Sequence, residues 1–264
     1  MLGAVVGDIV GSRFEFKNYK SKDFELFHAD CFVTDDSIMT LAVAEAIMNC
    51  QGDYTKLYDA TIASMRLIGP KYPCSGYGGS FFRWLYSDRP KPYDSYGNGA
   101  AMRISPVAYI ATSLADVKKY SRAVTETTHN NIEGIKGAEA VASAIFLARS
   151  GKTQTEIRDY IRHNYYPLNF TLDEIRPTYE FDSSCQGTVP QAIVAFLEAN
   201  SFEDAIRNAI SIGGDADTIA AITGSIAEAY FSIPEEIAEK ALLYLDELQL
   251  DILQRFENFR KGLR

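Results

Sequence analysis

Apolar residues recur at intervals of three and four along almost the whole chain, the spacing that lines one face of an α-helix. Residues 36–49 (DSIMTLAVAEAIMN) carry this pattern behind Thr34 and Asp35, two side chains suited to capping a helix start. Residues 134–149 (GIKGAEAVASAIFLAR) are alanine-rich and stop at Ser150-Gly151. The segments 189–199, 202–211 and 217–230 read the same way. In 234–261, Ile237, Ala241, Leu245, Leu248, Ile252, Phe256 and Phe259 fall on one rough apolar stripe. Strand-like alternation is nearly absent, and a short extended segment at 179–182 (YEFD) is the single β candidate. The pattern predicts a compact all-α globule of roughly ten or more helices.

Two stretches break the periodicity: 70–80 (PKYPCSGYGGS) and 87–99 (SDRPKPYDSYGNG). Loops of this length are usually functional or disordered, and the aromatic residues and glycines crowding both favour function. There is no Pro/Gly/Ser-rich linker, low-complexity tract or internal repeat, so residues 1–264 read as a single domain.

The composition, 47% apolar and 23% charged, is that of an ordinary globular protein and far from that of a disordered one. Against 26 Lys and Arg stand 35 Asp and Glu, a net charge of −9, which argues against direct nucleic-acid binding. No apolar run approaches the roughly 20 residues that span a bilayer. The start MLGAVVGDIVG lacks a basic region and holds Asp8, unlike a signal peptide. Cys31, Cys50, Cys74 and Cys185 are widely spaced without a CxxC pair, which suggests a reduced, cytoplasmic protein using them as small apolar fillers. A monomer is the default expectation.

Thr34-Asp35-Asp36-Ser37 and Gly213-Gly214-Asp215-Ala216-Asp217-Thr218 each open a predicted helix. Taken singly, either is explained by capping: Asp and Thr accept orphan N–H bonds and suit the positive end of the helix dipole. Taken together, they offer the same set twice, two Asp and one Thr. These are hard oxygen ligands, and if they converge they would hold two octahedral Mg²⁺ or Mn²⁺ ions. Zinc does not fit, because His28, His129 and His163 have no ligand spacing. The D-x-D of residues 215–217 follows a helix end rather than a buried strand, unlike a haloacid-type phosphotransferase.

Gly3, Gly7 and Gly11 lie on one helix face and suit close helix packing, and Glu15 follows between Phe14 and Phe16. Ser95-Tyr96-Gly97-Asn98-Gly99 runs into a helix and would offer N–H groups to an anion, with the loop at Gly76 and Gly78 as companion. No strand precedes it and no Walker lysine follows, which excludes a P-loop. His129 stands before the helix at 132–149, as either a structural hydrogen-bonding group or a ligand contact.

These pieces together, GAVVGDIVGSRFEF (3–16), TDDS (34–37), GYGGSFFRWL (76–85), SYGNGAAMRISPVAY (95–109), THNNIEGIKGAEAV (128–141), SCQGTVPQAIVAFL (184–197) and GGDADTIAAITG (213–224), resemble the ADP-ribosylglycohydrolase family. That group contains the dinitrogenase reductase-activating glycohydrolase and the ADP-ribosyl-acceptor hydrolases. The resemblance implies an all-α fold with a binuclear Mg²⁺ or Mn²⁺ site, and hydrolysis of the bond joining ADP-ribose to a protein or small-molecule acceptor. By it, Thr34, Asp35 and Asp36 supply one side of the metal pair and Asp215, Asp217 and Thr218 the other. Glu15 matches an acid near the metals, the first candidate for proton transfer, with Asp35 and Asp36 next. Gly76, Gly78, Ser95, Tyr96, Gly97, Asn98, Gly99 and His129 match positions that contact ADP-ribose. Ser37 stands where many relatives have Thr. A non-catalytic ADP-ribose or nucleotide binder, or a crystallin-like structural protein on the same fold, is the alternative.

Overall fold

The computed structural model describes residues 1–262. Its helices run α1 (Leu2–Ser12), α2 (Asp35–Asn49), α3 (Leu57–Ile68), α4 (Gly79–Leu85), α5 (Gly99–Met102), α6 (Val107–Ile110), α7 (Leu114–Thr125), α8 (Ile132–Arg149), α9 (Gln154–Asn164), α10 (Leu172–Ile175), α11 (Cys185–Leu197), α12 (Phe202–Ile210), α13 (Ala216–Phe231), α14 (Glu235–Leu242) and α15 (Glu247–Gly262). Two short 3₁₀ turns, Tyr54–Lys56 and Gly69–Lys71, flank α3. The all-α expectation holds: among the described residues there is no strand, only an isolated antiparallel bridge between Gly97 and Ser184.

The central element is α13. It packs against α1, α8, α11 and α12, and every residue from Ala216 to Ala227 is buried. A helix buried on all sides needs no polar face, which is why this stretch, beyond Asp217 and Thr218, is apolar or small. Outer helices keep the two-faced pattern: α9 buries Ile157 and Ile161 under an otherwise polar surface and starts with a capping box at Thr153 and Glu156.

The closest packing in the fold is between α1 and α13, which run antiparallel backbone to backbone. A Cβ at Gly3 would sit 2.2 Å from the Gly224 carbonyl oxygen, one at Gly7 2.0 Å from that of Ala220, and one at Gly11 2.5 Å from the Asp217 Cα. No side chain fits there, so the glycine spacing in the sequence is the imprint of this contact. The pairing brings the C-terminal end of α1 beside the N-terminal start of α13.

Two expectations are corrected. The segment 179–182 forms no strand; Tyr179 instead turns its hydroxyl to the Gly187 carbonyl at 2.8 Å, and its ring fills the space beside Gly214. The apolar stripe over 234–261 is two helices, not one. Asp246 and Gln249 form a reciprocal cap, Gln249 N–H to Asp246 Oδ1 at 2.9 Å and Asp246 N–H to Gln249 Oε1 at 3.1 Å, which starts α15 afresh. Tyr72 adds a hydroxyl donor to Asp246 at 2.8 Å. The cysteines are free thiols; Cys31, Cys50 and Cys185 fill apolar space as expected, whereas Cys74 is exposed.

Gly7→Ala forces a methyl group onto a backbone carbonyl that has no rotamer to yield, so destabilisation of about 1–3 kcal/mol or more is expected. Urea unfolding followed by circular dichroism measures it; an unchanged midpoint would mean that α1 and α13 are not in contact.

Candidate active site

A cavity of about 390 Å³ opens where the end of α1, the start of α2, the 76–80 turn, the 95–99 loop and the start of α13 meet. Glu15, Asp35, Asp36, Asp215, Asp217 and Thr218 all line it, as do Gly76, Gly78, Ser95, Gly97, Asn98, Gly99 and His129. Two predicted site residues stand outside this lining. Thr34 is buried behind the wall, and Tyr96 is 54% exposed to solvent.

The two acidic segments, far apart in sequence, do converge. One carboxylate oxygen each from Glu15, Asp215 and Asp217 lies within 4.8 Å of the others. Thr218 Oγ1 reaches across to Asp36 Oδ2 at 3.1 Å, joining the start of α13 to that of α2. Asp35 faces the 76–80 turn: its N–H donates to the Ser75 carbonyl at 2.8 Å, and a Cβ at Gly76 would lie 3.3 Å from its Oδ1.

Capping explains part of this arrangement. Thr34 is the N-cap of α2 and accepts from Asp36 N–H at 3.2 Å. Asp215 occupies the N-cap position of α13 but makes no capping bond. Its Oδ2 accepts instead from Asn98 Nδ2 at 2.7 Å, so the carboxylate is turned to the cavity. Gly213 and Gly214, both at positive φ (70° and 73°), make the tight turn that aims it there. The segment after Glu15 is tied to the same turn. Asn18 Oδ1 accepts from Gly214 N–H at 3.2 Å, and Lys20 donates to the Ile212 and Tyr179 carbonyls. Phe16, 82% exposed, stacks on Phe181 with centroids 5.9 Å apart at the rim.

The structure places two further charged residues at the site that sequence reasoning did not single out as site residues. Asp8 is fully buried one helix turn before Gly11, and it accepts three bonds from the α2 start: Thr34 Oγ1 at 2.6 Å, Thr34 N–H at 3.1 Å and Ser37 N–H at 3.1 Å. An Asp inside an apolar stretch was the available signal. Arg103 is a fully buried cation beside the cavity, donating to Thr128 Oγ1 at 2.6 Å. The N–H groups expected to cradle an anion in the 97–99 loop are partly engaged: Gly97 donates to Ser95 Oγ and Asn98 to the Ser183 carbonyl.

Crowding and burial disfavour ionisation throughout the cluster. Burial, aided by Asp8 and Asp215, pushes Asp35 up to about 8; half-burial with Asp215 and Asp8 nearby pushes Glu15 up to about 7; burial alone pushes Asp8 up to about 6 against its hydrogen bonds. Asp36 and Asp217 lie well above the usual carboxylate range, chiefly through burial and then through their acidic neighbours. Asp36 Oδ1 is buried with no hydrogen-bond partner. An orphaned carboxylate oxygen within a ring of hard oxygen donors is the chemistry that fits a divalent cation, and Thr34 Oγ1, although engaged by Asp8, keeps a lone pair.

Comparison with known proteins shows what the chain is similar to. The family model described as ADP-ribosylglycohydrolase matches residues 1–260. The human protein named ADP-ribosylhydrolase ARH3 is 25% identical, over 89% of this chain and 85% of its own. The Pseudomonas putida protein named ADP-ribosylarginine hydrolase Tri1 is 26% identical, over 91% of this chain and 72% of its own. A solved structure titled ADP-ribosylglycohydrolase-related protein complex superposes with a TM-score of 0.70 at 24% identity, covering 99% of this chain and 95% of that one; it bears out the fold.

The raised carboxylates set a pH dependence. Each binds its proton more tightly folded than unfolded, so between the unfolded value near 4 and the folded one the native state holds the extra proton and stability falls as pH rises. In chelator, thermal stability should be highest near pH 4 as far as these groups decide it, and decline toward the folded value of about 8 at Asp35. Melting curves across that range in EDTA test this; stability rising over the window would contradict it.

Proposed function

The chain belongs to the ADP-ribosylglycohydrolase family of hydrolases, and from that premise we propose that the acidic cavity releases ADP-ribose from a modified protein side chain or a small ADP-ribosyl conjugate. The observation that carries this reading is the meeting of Glu15, Asp215 and Asp217 on one wall of a cavity large enough for a sugar, with Asp36 and Thr218 bonded beside them.

The proposal gives Thr34, Asp35, Asp36, Asp215, Asp217 and Thr218 the role of holding two divalent cations, Mg²⁺ or Mn²⁺. When bound, these supply Lewis-acid orientation of the ribose hydroxyls and +4 of charge against the −5 of four Asp and Glu15. Unpaired burial of that many carboxylates would cost several kcal/mol per ion. Cleavage at the ribose C1″ passes through an oxocarbenium-like transition state, which the surrounding carboxylates stabilise by their charge. Glu15, which lines the cavity beside Asp215 and Asp217, would take the proton from the attacking water and pass it to the departing acceptor; Asp35 and Asp36 are next in line. Asn98 steadies Asp215, and Asp8 steadies the Thr34–Ser37 turn, so the acids keep their positions as charge develops.

An acidic protein can take an anionic nucleotide here because Gly76, Gly78, Gly97 and Gly99 leave room in the cavity lining, with Arg103 as a buried cation and Asn98 and His129 as polar contacts. Ser95 belongs to the same lining, and Tyr96 stands outside at the mouth. We assign residues 1–264 to one domain, supported by the continuity of its buried apolar core.

Asp217→Ala should lower release of ADP-ribose by about a hundredfold or more while leaving the circular dichroism spectrum unchanged. EDTA should inactivate the enzyme, with Mg²⁺ or Mn²⁺ restoring turnover; indifference to both would remove the metal assignment. Glu15→Gln should reduce kcat by about 10²–10⁴ with little change in KM, and an unaltered kcat would take Glu15 out of proton transfer. Parallel assays on ADP-ribosylated arginine, ADP-ribosylated serine and small O-linked esters sort the acceptors.

A further inference from the structure

We propose that Arg103 and Thr128 are positioning residues that hold His129 as the neutral imidazole with its proton on Nε2, so that the ring offers one N–H donor to a ligand oxygen in the cavity. The ligand is the nucleotide sugar of the reading above, on which this inference rests.

The assignment follows from counting donors. Arg103 keeps its charge and can only donate, so the 2.6 Å bond from its Nη2 makes Thr128 Oγ1 the acceptor. The Thr128 hydroxyl proton must go elsewhere, and His129 Nδ1 lies 2.7 Å away. The same Arg103 nitrogen is 3.4 Å from Nδ1. A proton on Nδ1 would face the Arg103 donor and, by donating to Thr128 Oγ1, leave the hydroxyl proton without an acceptor among the described residues. Nδ1 is therefore the lone-pair nitrogen and Nε2 carries the hydrogen.

Nε2 has no hydrogen-bond partner among the described residues, although His129 is only 4% exposed. It lies over the glycine loop: a Cβ would come within 3.6 Å of it at Gly97 and 3.4 Å at Gly99. The two glycines thus keep open the approach to the one free ring donor. Tyr93, with its ring centroid 6.0 Å away, and Phe81, 5.8 Å beneath the Arg103 guanidinium, wall the relay on its other sides. Burial and the Arg103 charge both oppose protonation, keeping the imidazole well below its usual value. A neutral donor suits this position, where the Arg103 guanidinium already brings a positive charge beside the ring.

The test is nitrogen NMR on the full chain labelled with ¹⁵N-histidine, in which His129 has only His28 and His163 for company. His129 should show an unprotonated Nδ1 and a protonated Nε2 in the wild type. Thr128→Val should shift this spectrum toward a tautomer mixture and weaken ADP-ribose binding, measured calorimetrically with Mg²⁺, by about tenfold. Thr128→Ser, which keeps the hydroxyl, should restore both. A wild-type proton on Nδ1, or a Thr128→Val protein with the wild-type tautomer, overturns the relay. The tautomer is read without nucleotide, so a protein with the expected spectrum that ignores ADP-ribose would overturn the proposed function alone.

Discussion

The site depends on a contact that involves no functional group, the backbone-to-backbone packing of α1 on α13. Three glycines at one face of α1 let the two helix axes approach until carbonyl oxygens fill the space where side chains would be. Because the helices are antiparallel, this contact sets the end of one against the start of the other. Glu15 follows the end of α1, and Asp215 and Asp217 open α13, so their meeting is a consequence of packing before it is one of chemistry. Asp8, one turn before Gly11, then reaches the Thr34–Ser37 turn with three hydrogen bonds and brings α2 to the same point. At the far end Glu228 of α13 accepts from Gly3 N–H at 2.8 Å and fixes the register.

Convergence of this kind works against stability. Carboxylates packed together in a buried wall raise one another's pKa and carry a desolvation cost that hydrogen bonds from Asn98, Thr218 and Thr34 only partly offset. The fold meets that cost with an apolar core around α13 that does not depend on the acids. In the protein alone the same electrostatics raise Glu15 to about 7, which is what motivates the proton-transfer role proposed for it.

Local chemistry was legible and distance was not. Helical periodicity, the Thr and Ser caps and the glycine face of α1 could all be read from neighbouring residues. The break between α14 and α15 was encoded too, in the Asp246–Gln249 cap, but an unbroken apolar stripe hid it. Nothing within 179–182 distinguishes an extended loop from a strand, because the partner that settles it, Gly187 with its carbonyl, is reached only on folding. Asp8 and Arg103 were passed over for the same reason. Each is an isolated charge in its own segment, and each acquires a role only when a turn dozens of residues away is delivered to it.

The two acidic helix starts show how such roles can be told from ordinary capping. Thr34 does what its position asks and accepts the N–H of Asp36. Asp215, equally well placed to cap, leaves the N–H groups of α13 and spends its carboxylate on Asn98 and the cavity. A residue with a favourable local bond within reach that adopts another arrangement is being held there by the tertiary structure, at some cost to the helix it begins. Asp36 Oδ1, buried and bonded to nothing, carries the same mark. Where local preference and global placement disagree in this way at neighbouring residues from distant segments, the simplest physical account is that a ligand completes the bonding that the chain leaves undone.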